Sequence, residues 1–152
     1  MKRILATTDG SEASLKAVEV AGEIAGRLDA DLLVLAVGAE AAAVTADEGL
    51  QEFARIEHVR GDAGTLQPIV WSEHVEAAER RAAAAGAKRI RVAVRSGDPT
   101  EQIIEQILED RIDLVVVGSR GRGRLGGLLL GSVSQKLATN APCSVLIVRP
   151  QG

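Results

Sequence analysis

Five short apolar runs recur along this chain and limit its fold more than any other feature: Ile4–Thr7, Leu32–Val37, Ile90–Val94, Leu114–Val117 and Val145–Val148. Apart from Arg91 in the third, they are apolar on both faces, as a strand must be when helices cover it above and below. The stretches between them carry helical periodicity. From Ser11 to Leu28, Lys16, Glu19, Glu23 and Arg27 follow one another at steps of three and four, while Leu15, Val18, Ile24, Ala25 and Leu28 fill the other face. Asp98-Pro99-Thr100-Glu101 is a helix start, with Asp98 as N-cap, Pro99 in the first turn and Glu101 reaching back. The pairs Ile103/Ile104 and Ile107/Leu108 then form an apolar stripe, and a last short helix, Val133–Asn140, is stopped by Pro142. Strand and helix alternate from end to end, which predicts a doubly wound α/β fold around a five-stranded parallel sheet. Such sheets take ligands at the carboxyl ends of their strands, where strand order reverses. The loops after Thr7, Val37 and Val117 are therefore the ones to read.

Two stretches fit this scheme less well. Gly38 to about Thr65 is long for a strand-to-helix connection, and loops of that length are usually lids, partly helical or disordered. In the helix expected over Leu66–Ala85, Pro68 fits only the first turn, and the alanine-rich end has weak amphipathicity.

Composition excludes several functions. The chain is 152 residues, one domain's worth, and only 1% of it is aromatic: Phe53 and Trp71. Single-stranded nucleic acid and flavin sites built on stacked rings are excluded. Net charge is only −3, which favours neither nucleic acid nor a membrane surface as partner. A single cysteine, Cys143, allows no internal disulfide, and His58 and His74 are too few for a metal cluster. No apolar run approaches the roughly 20 residues of a spanning helix, and the N-terminus meets charge at Lys2 and Arg3, so a cytoplasmic location is expected.

The segment that carries chemistry follows the fourth apolar run: Gly118-Ser119-Arg120-Gly121-Arg122-Gly123-Arg124-Leu125-Gly126-Gly127-Leu128-Leu129-Leu130-Gly131-Ser132-Val133-Ser134. A glycine-rich turn between a strand and a helix lets backbone N–H groups approach phosphate closely. Arg120, Arg122 and Arg124 add charge suited to phosphate oxygens. Gly121 to Gly126 matches G-x-G-x-x-G literally, but it follows the fourth strand and no acidic residue at a second strand end comes after it. The same glycines have P-loop spacing, yet Gly127 stands where the lysine belongs.

What remains is Gly118-x2-Gly121-x9-Gly131-Ser132, and here the chain resembles the nucleotide-binding branch of the universal stress protein family. Thr8-Asp9-Gly10-Ser11-Glu12-Ala13-Ser14 is similar to the family's first strand exit, Gly97-Asp98-Pro99 to its turn before the third helix, and Ala141-Pro142-Cys143 through Arg149 to its closing strand. Thr7 stands where the family often has proline, and Arg124 and Gly127 depart from its commoner Arg-Gly-Gly order. The resemblance implies ATP as ligand, accompanied by Mg²⁺ or Mn²⁺, and a role in stress response and signalling. It places Gly118, Gly121, Gly131 and Ser132 at the phosphates and ribose, Thr8 and Asp9 beside the adenosine, and the Val37 backbone at the adenine. The full cofactor-binding set adds Arg120, Arg122, Val133 and Ser134, with no catalytic and no metal-ligating residue. The fold class expected is a single adenine nucleotide alpha hydrolase-like domain over residues 1–152, with strand order 3-2-1-4-5.

Plainer readings stand beside these. Ser132-Val133-Ser134-Gln135 has the form of a capping box, and Asp9 the form of an Asp-Gly-Ser turn. The arginines could simply solvate the loop. His58 and His74 are expected on the surface, Cys143 as an apolar filler, and Trp71 as packing for the second helix. From Gly118 to Ser134 there is no Asp, Glu, Gln or His to orient an attacking water, so little or no ATP hydrolysis is expected. The alternatives are a nucleotide-independent interaction protein of the same fold, in which the glycines have no evident use, and an adenine-hydrolase or nucleotidyl-transfer enzyme. In the expected strand order the third and fifth strands are edges. Arg89, Arg91 and Arg95 guard the third, whereas Val145, Leu146, Ile147 and Val148 leave the fifth unguarded, which predicts a homodimer through it.

Overall fold

The computed structural model of the chain describes residues 1–38, 66–120 and 130–150. Its elements run β1 (Arg3–Thr8), α1 (Glu12–Leu28), β2 (Asp31–Gly38), α2 (Leu66–Ala85), β3 (Arg89–Ser96), α3 (Pro99–Asp110), β4 (Leu114–Gly118), α4 (Ser132–Asn140) and β5 (Ser144–Val148). The strands are all parallel and lie in the order β3-β2-β1-β4-β5. This is the doubly wound sheet expected from the alternation. β1 is central: Ile4 lies opposite Leu32 on one side and Leu114 on the other.

Successive residues of a strand face opposite sides of the sheet, so each run feeds two cores. Ile4, Ala6, Leu32, Val34 and Val116 pack with Val18, Ala78 and Ala82 under α1 and α2. Leu5, Leu33, Leu35, Val115 and Val117 pack with Ile103, Ile107 and Leu137 under α3 and α4. Both faces being covered is the physical reason the runs of β1, β2 and β4 are unbroken, whereas edge strand β3 alternates arginine with apolar residues.

The helix starts follow their capping residues. Ser11 Oγ accepts the Ser14 N–H at 3.3 Å, and Asp98 Oδ2 accepts the Glu101 N–H at 3.0 Å with Pro99 at the first position. The α3 stripe differs from expectation. Ile103 and Ile107 are buried, but Leu108 is 62% exposed. The inward face is Thr100, Ile103, Gln106 and Ile107, because the Arg95 guanidinium reaches Gln106 Oε1 at 3.0 Å and makes a polar residue welcome there.

The alanine-rich half of α2 is explained by α1. A Cβ on Gly22 would stand 2.6 Å from the Ala82 carbonyl oxygen, and Gly26 abuts Gly86 in the same way. The two helices therefore meet almost backbone to backbone, and Ala78 and Ala82 are fully buried between them.

The arginines of edge strand β3 are all engaged. Arg89 pairs with Asp29 and Asp31, Arg91 with Asp110, and Arg95 with Glu105 and Glu109. Charge guards this edge while tying it to α3 and to the α1–β2 turn. At the amino-terminal ends of the strands, Asp113 Oδ2 accepts the Lys2 and Arg3 N–H groups at 2.7 and 2.9 Å, which holds its carboxyl below the usual aspartate range. Cys143 is half-buried against the α3/α4 core, and burial pushes its thiol up, in keeping with an apolar filler. Among the described residues no helix is long and apolar enough to cross a membrane.

Candidate functional site

Strand order reverses between β1 and β4. From β1 the chain winds outward through β2 to β3, and from β4 it winds the other way to β5. In open sheets of this kind ligands bind outside the carboxyl ends of the strands at such a switch point, where the turns leaving these two neighbours lie. Sequence places its candidate residues on these turns.

The β1–α1 turn is built by its own hydroxyls. Thr8 Oγ1 lies 3.2 Å from Ser14 Oγ and accepts the Gly10 N–H at 3.2 Å. Ser14 Oγ takes the Asp9 N–H at 3.3 Å and donates to the Ser11 carbonyl at 2.9 Å. Asp9 Oδ1 accepts the Ser11 N–H at 2.9 Å, so the Asp-Gly-Ser turn read from sequence is present. Gly10 has φ of +80°, which only glycine adopts without strain. Thr8 is 4% exposed, and its hydroxyl faces the scaffold. Asp9 is half-buried and directly follows β1.

The β4–α4 connection is held at both ends by Ser119. Its N–H donates to the Val148 carbonyl at 2.8 Å, and its carbonyl accepts both the Gly131 N–H at 2.6 Å and Ser134 Oγ at 3.2 Å. The segment that leaves the sheet at Arg120 thus returns to the same point at Gly131. Gly121 and Arg122 lie on that segment, outside the described residues, as does Arg124. Arg120, at its start, is exposed.

Here the structure corrects a sequence reading. Ser132 is not the cap of α4: the N-cap is Gly131, with φ −71° and ψ 165°, and no side chain caps the helix. The serine that works structurally is Ser134, buried and bonded to the Ser119 and Gly131 carbonyls. The first intrahelical bond runs from the Gln135 N–H to Gly131. The N–H groups of Ser132, Val133 and Ser134 consequently have no carbonyl of the helix to bond. Ser132 is exposed, Val133 is half-buried on the α3/α4 core, and Val37, in register with Arg95, is half-buried at the end of β2.

Gly118 is placed by packing. A Cβ there would stand 2.8 Å from the Ala13 carbonyl carbon and 2.9 Å from Ser14 N. The first turn of α1 lies directly on this glycine, so a non-binder of this fold would need it as well. For Gly118, that overturns the idea that the motif's glycines have no use apart from a ligand.

Two contributors were not anticipated. Ser14 and Ser119 organise the two turns and are buried, at 5% and 2% exposure. His74 was expected on the surface, but its ring lies against Gly10 and edge-on to Trp71, with centroids 5.0 Å apart. A signal existed: Trp71, Val75, Ala78 and Ala82 form the inward stripe of α2, and His74 adjoins it. His58 lies outside the described residues. Among the described residues, no three His, Cys, Asp or Glu side chains gather as a metal site.

Residues 1–149 match the model of the Universal stress protein family. A universal stress protein of Bacillus subtilis is 33% identical over 148 residues, 97% of this chain and 98% of its own. One from Mycobacterium tuberculosis is 35% identical over 153 residues, 97% of this chain and 95% of its own. Among solved structures, a universal stress protein in complex with cAMP superposes with a TM-score of 0.68 at 30% identity, over 97% of this chain and 96% of that one. With fold, motif spacing and near full-length relatives in agreement, the chain belongs to the universal stress protein family.

Proposed function

We propose that the protein binds an adenine nucleotide, ATP, across the carboxyl ends of β1 and β4, and serves as a nucleotide-dependent stress-response and signalling module with little or no hydrolysis. The observation that carries this reading is the start of α4, where Gly131 supplies no cap and the N–H groups of Ser132, Val133 and Ser134 precede the first helical bond. Such a terminus stabilises an anion through both its donors and its dipole. A relative at 30% identity is in complex with cAMP, which supports adenine as the base. In this reading Gly118, Gly121, Gly131 and Ser132 hold the phosphates and ribose, Arg120 and Arg122 neutralise charge, and Mg²⁺ or Mn²⁺ travels with the phosphates. The Thr8–Asp9 turn and the Val37 backbone flank the nucleoside. The packing role of Gly118 is what favours the alternative, a nucleotide-independent interaction protein.

The test is to denature the purified protein, identify any released compound by chromatography, and titrate the stripped protein with ATP, AMP and cAMP by calorimetry. We expect released adenine nucleotide near one per chain, and ATP binding tighter than either competitor. Neither released nucleotide nor heat would hand the case to the alternative. A steady turnover above about 1 s⁻¹, the low end for enzymes, would overturn the claim of little hydrolysis.

Assembly belongs to the same proposal. Among the described residues β5 pairs only with β4, and Val145, Leu146, Ile147 and Val148 are all half-buried along its length with no charged neighbour in the run. A strand edge of this kind invites a two-fold mate. Sedimentation is expected to give a dimer of the 15.9 kDa chain at micromolar concentration; a monomer rejects this part.

A further inference from the structure

We infer that His74 is a positioning residue for the β1–α1 turn, and that through it and Trp71 the helix α2 senses whether that turn holds a ligand. The inference rests on the reading that a nucleotide binds beside Asp9.

The contact itself is unusual in form. A Cβ built on Gly10 would stand 2.9 Å from His74 Nε2, 3.0 Å from Cε1 and 3.1 Å from Cδ2. Three ring atoms at nearly equal distance mean that the imidazole lays its face over Gly10 instead of pointing a nitrogen at it. The ring also meets Trp71, the planes at 85°. The imidazole thus touches both the turn and the indole.

Gly10 is the peptide on which the turn depends. Its N–H goes to Thr8 Oγ1, and the next N–H, from Ser11, fixes Asp9 Oδ1. Its φ of +80° lets the chain reverse there, and the missing side chain leaves the space that the ring fills. A displacement of the ring therefore bears on Gly10, and with it on the Asp9 carboxylate and the Ser11 cap of α1.

Elsewhere the two helices meet in other ways: Gly22 and Gly26 approach Ala82 and Gly86 backbone to backbone, and Arg81 pairs with Glu12 and Glu19. The His74 contact bears directly on Gly10. Ordering of the turn by a ligand is then felt at His74 and Trp71 on α2.

Trp71 is the chain's one tryptophan, so its emission reports this contact without labelling. The experiment compares the wild type with His74→Ala and His74→Phe, by ATP calorimetry and by Trp71 emission, with thermal melting to show that each variant is folded. Saturating ATP is expected to change Trp71 emission in the wild type. His74→Ala is expected to bind ATP about tenfold more weakly and to lose the emission response. His74→Phe restores a flat ring on Gly10 and is expected to recover affinity to within about threefold of the wild type, along with the response. Undiminished ATP binding in His74→Ala, failure of His74→Phe to recover affinity, or wild-type emission that ignores saturating ATP overturns the inference while leaving nucleotide binding intact. Absence of ATP binding by the wild type overturns both readings.

Discussion

Gly118→Ala is expected to melt well below the wild type, and Gly118→Val lower still. The added Cβ would stand 2.8 to 2.9 Å from three backbone atoms of Ala13 and Ser14, and backbone in a helical first turn cannot step aside as a side-chain tip can. Overpacking of this kind costs about 1–3 kcal/mol, which in a domain of this size lowers the melting temperature by roughly 2–4 °C per kcal/mol. The damage reaches the candidate site as well. α1 carries Ser11 and Ser14, whose hydroxyls organise the Asp9 turn, so pushing α1 off β4 loosens that turn. Scanning calorimetry on the two variants decides the matter. Wild-type melting in Gly118→Val would mean that α1 does not rest on this glycine. The result also separates two uses of the glycine motif: loss of stability without ligand present belongs to packing, and only a further loss of affinity in folded protein belongs to phosphate.

The fold was legible because its signals are local and repeated. Five apolar runs, Ser11 and Asp98 as caps, and Pro99 at a first turn each specify an element on their own, and all of them agree. What escaped was relational. The alanine-rich end of α2 has weak periodicity because its packing partner is glycine, so small residues, not large apolar ones, mark the interface. Leu108 misled because Arg95, a residue of another element, recruits Gln106 to the inward face. Ser132 has a capping box's spelling, yet Gly131 takes the cap position once Ser119 ties down its N–H. His74 could be read only by setting it on the α2 stripe and asking what α1 presents opposite. Of the candidate site, Thr8, Asp9, Val37, Gly118, Arg120, Gly131, Ser132, Val133 and Ser134 lie on strand ends or at the turns and helix start that follow them. The hydroxyls of Thr8 and Ser134 are spent on the scaffold, which leaves backbone N–H groups as the chemistry at the start of α4.

Gly131→Asp separates binding from stability most sharply, because its expected effects have opposite signs. Gly131 has φ −71° and ψ 165°, an extended conformation open to any L residue and ordinary for an N-cap. An aspartate there accepts N–H groups of the first turn that have no helical carbonyl to bond, and places negative charge at the positive end of the helix dipole, a gain over glycine of a few tenths of a kcal/mol. The melting temperature is therefore expected to hold or rise by about a degree. The same carboxylate occupies the donors that phosphate would use and repels it. At about 4 Å each like-charge pair costs on the order of 1–4 kcal/mol, depending on local screening. ATP affinity is accordingly expected to fall by about a hundredfold or more, roughly 2.8 kcal/mol. Gly131→Asn caps as well without the charge, and it should fall between the two: donors lost, repulsion absent. Calorimetric titration beside thermal melting reads both quantities on one preparation. If Gly131→Asp binds ATP as the wild type does, the phosphates do not sit at the start of α4. If it unfolds, the glycine is there for packing, as Gly118 is.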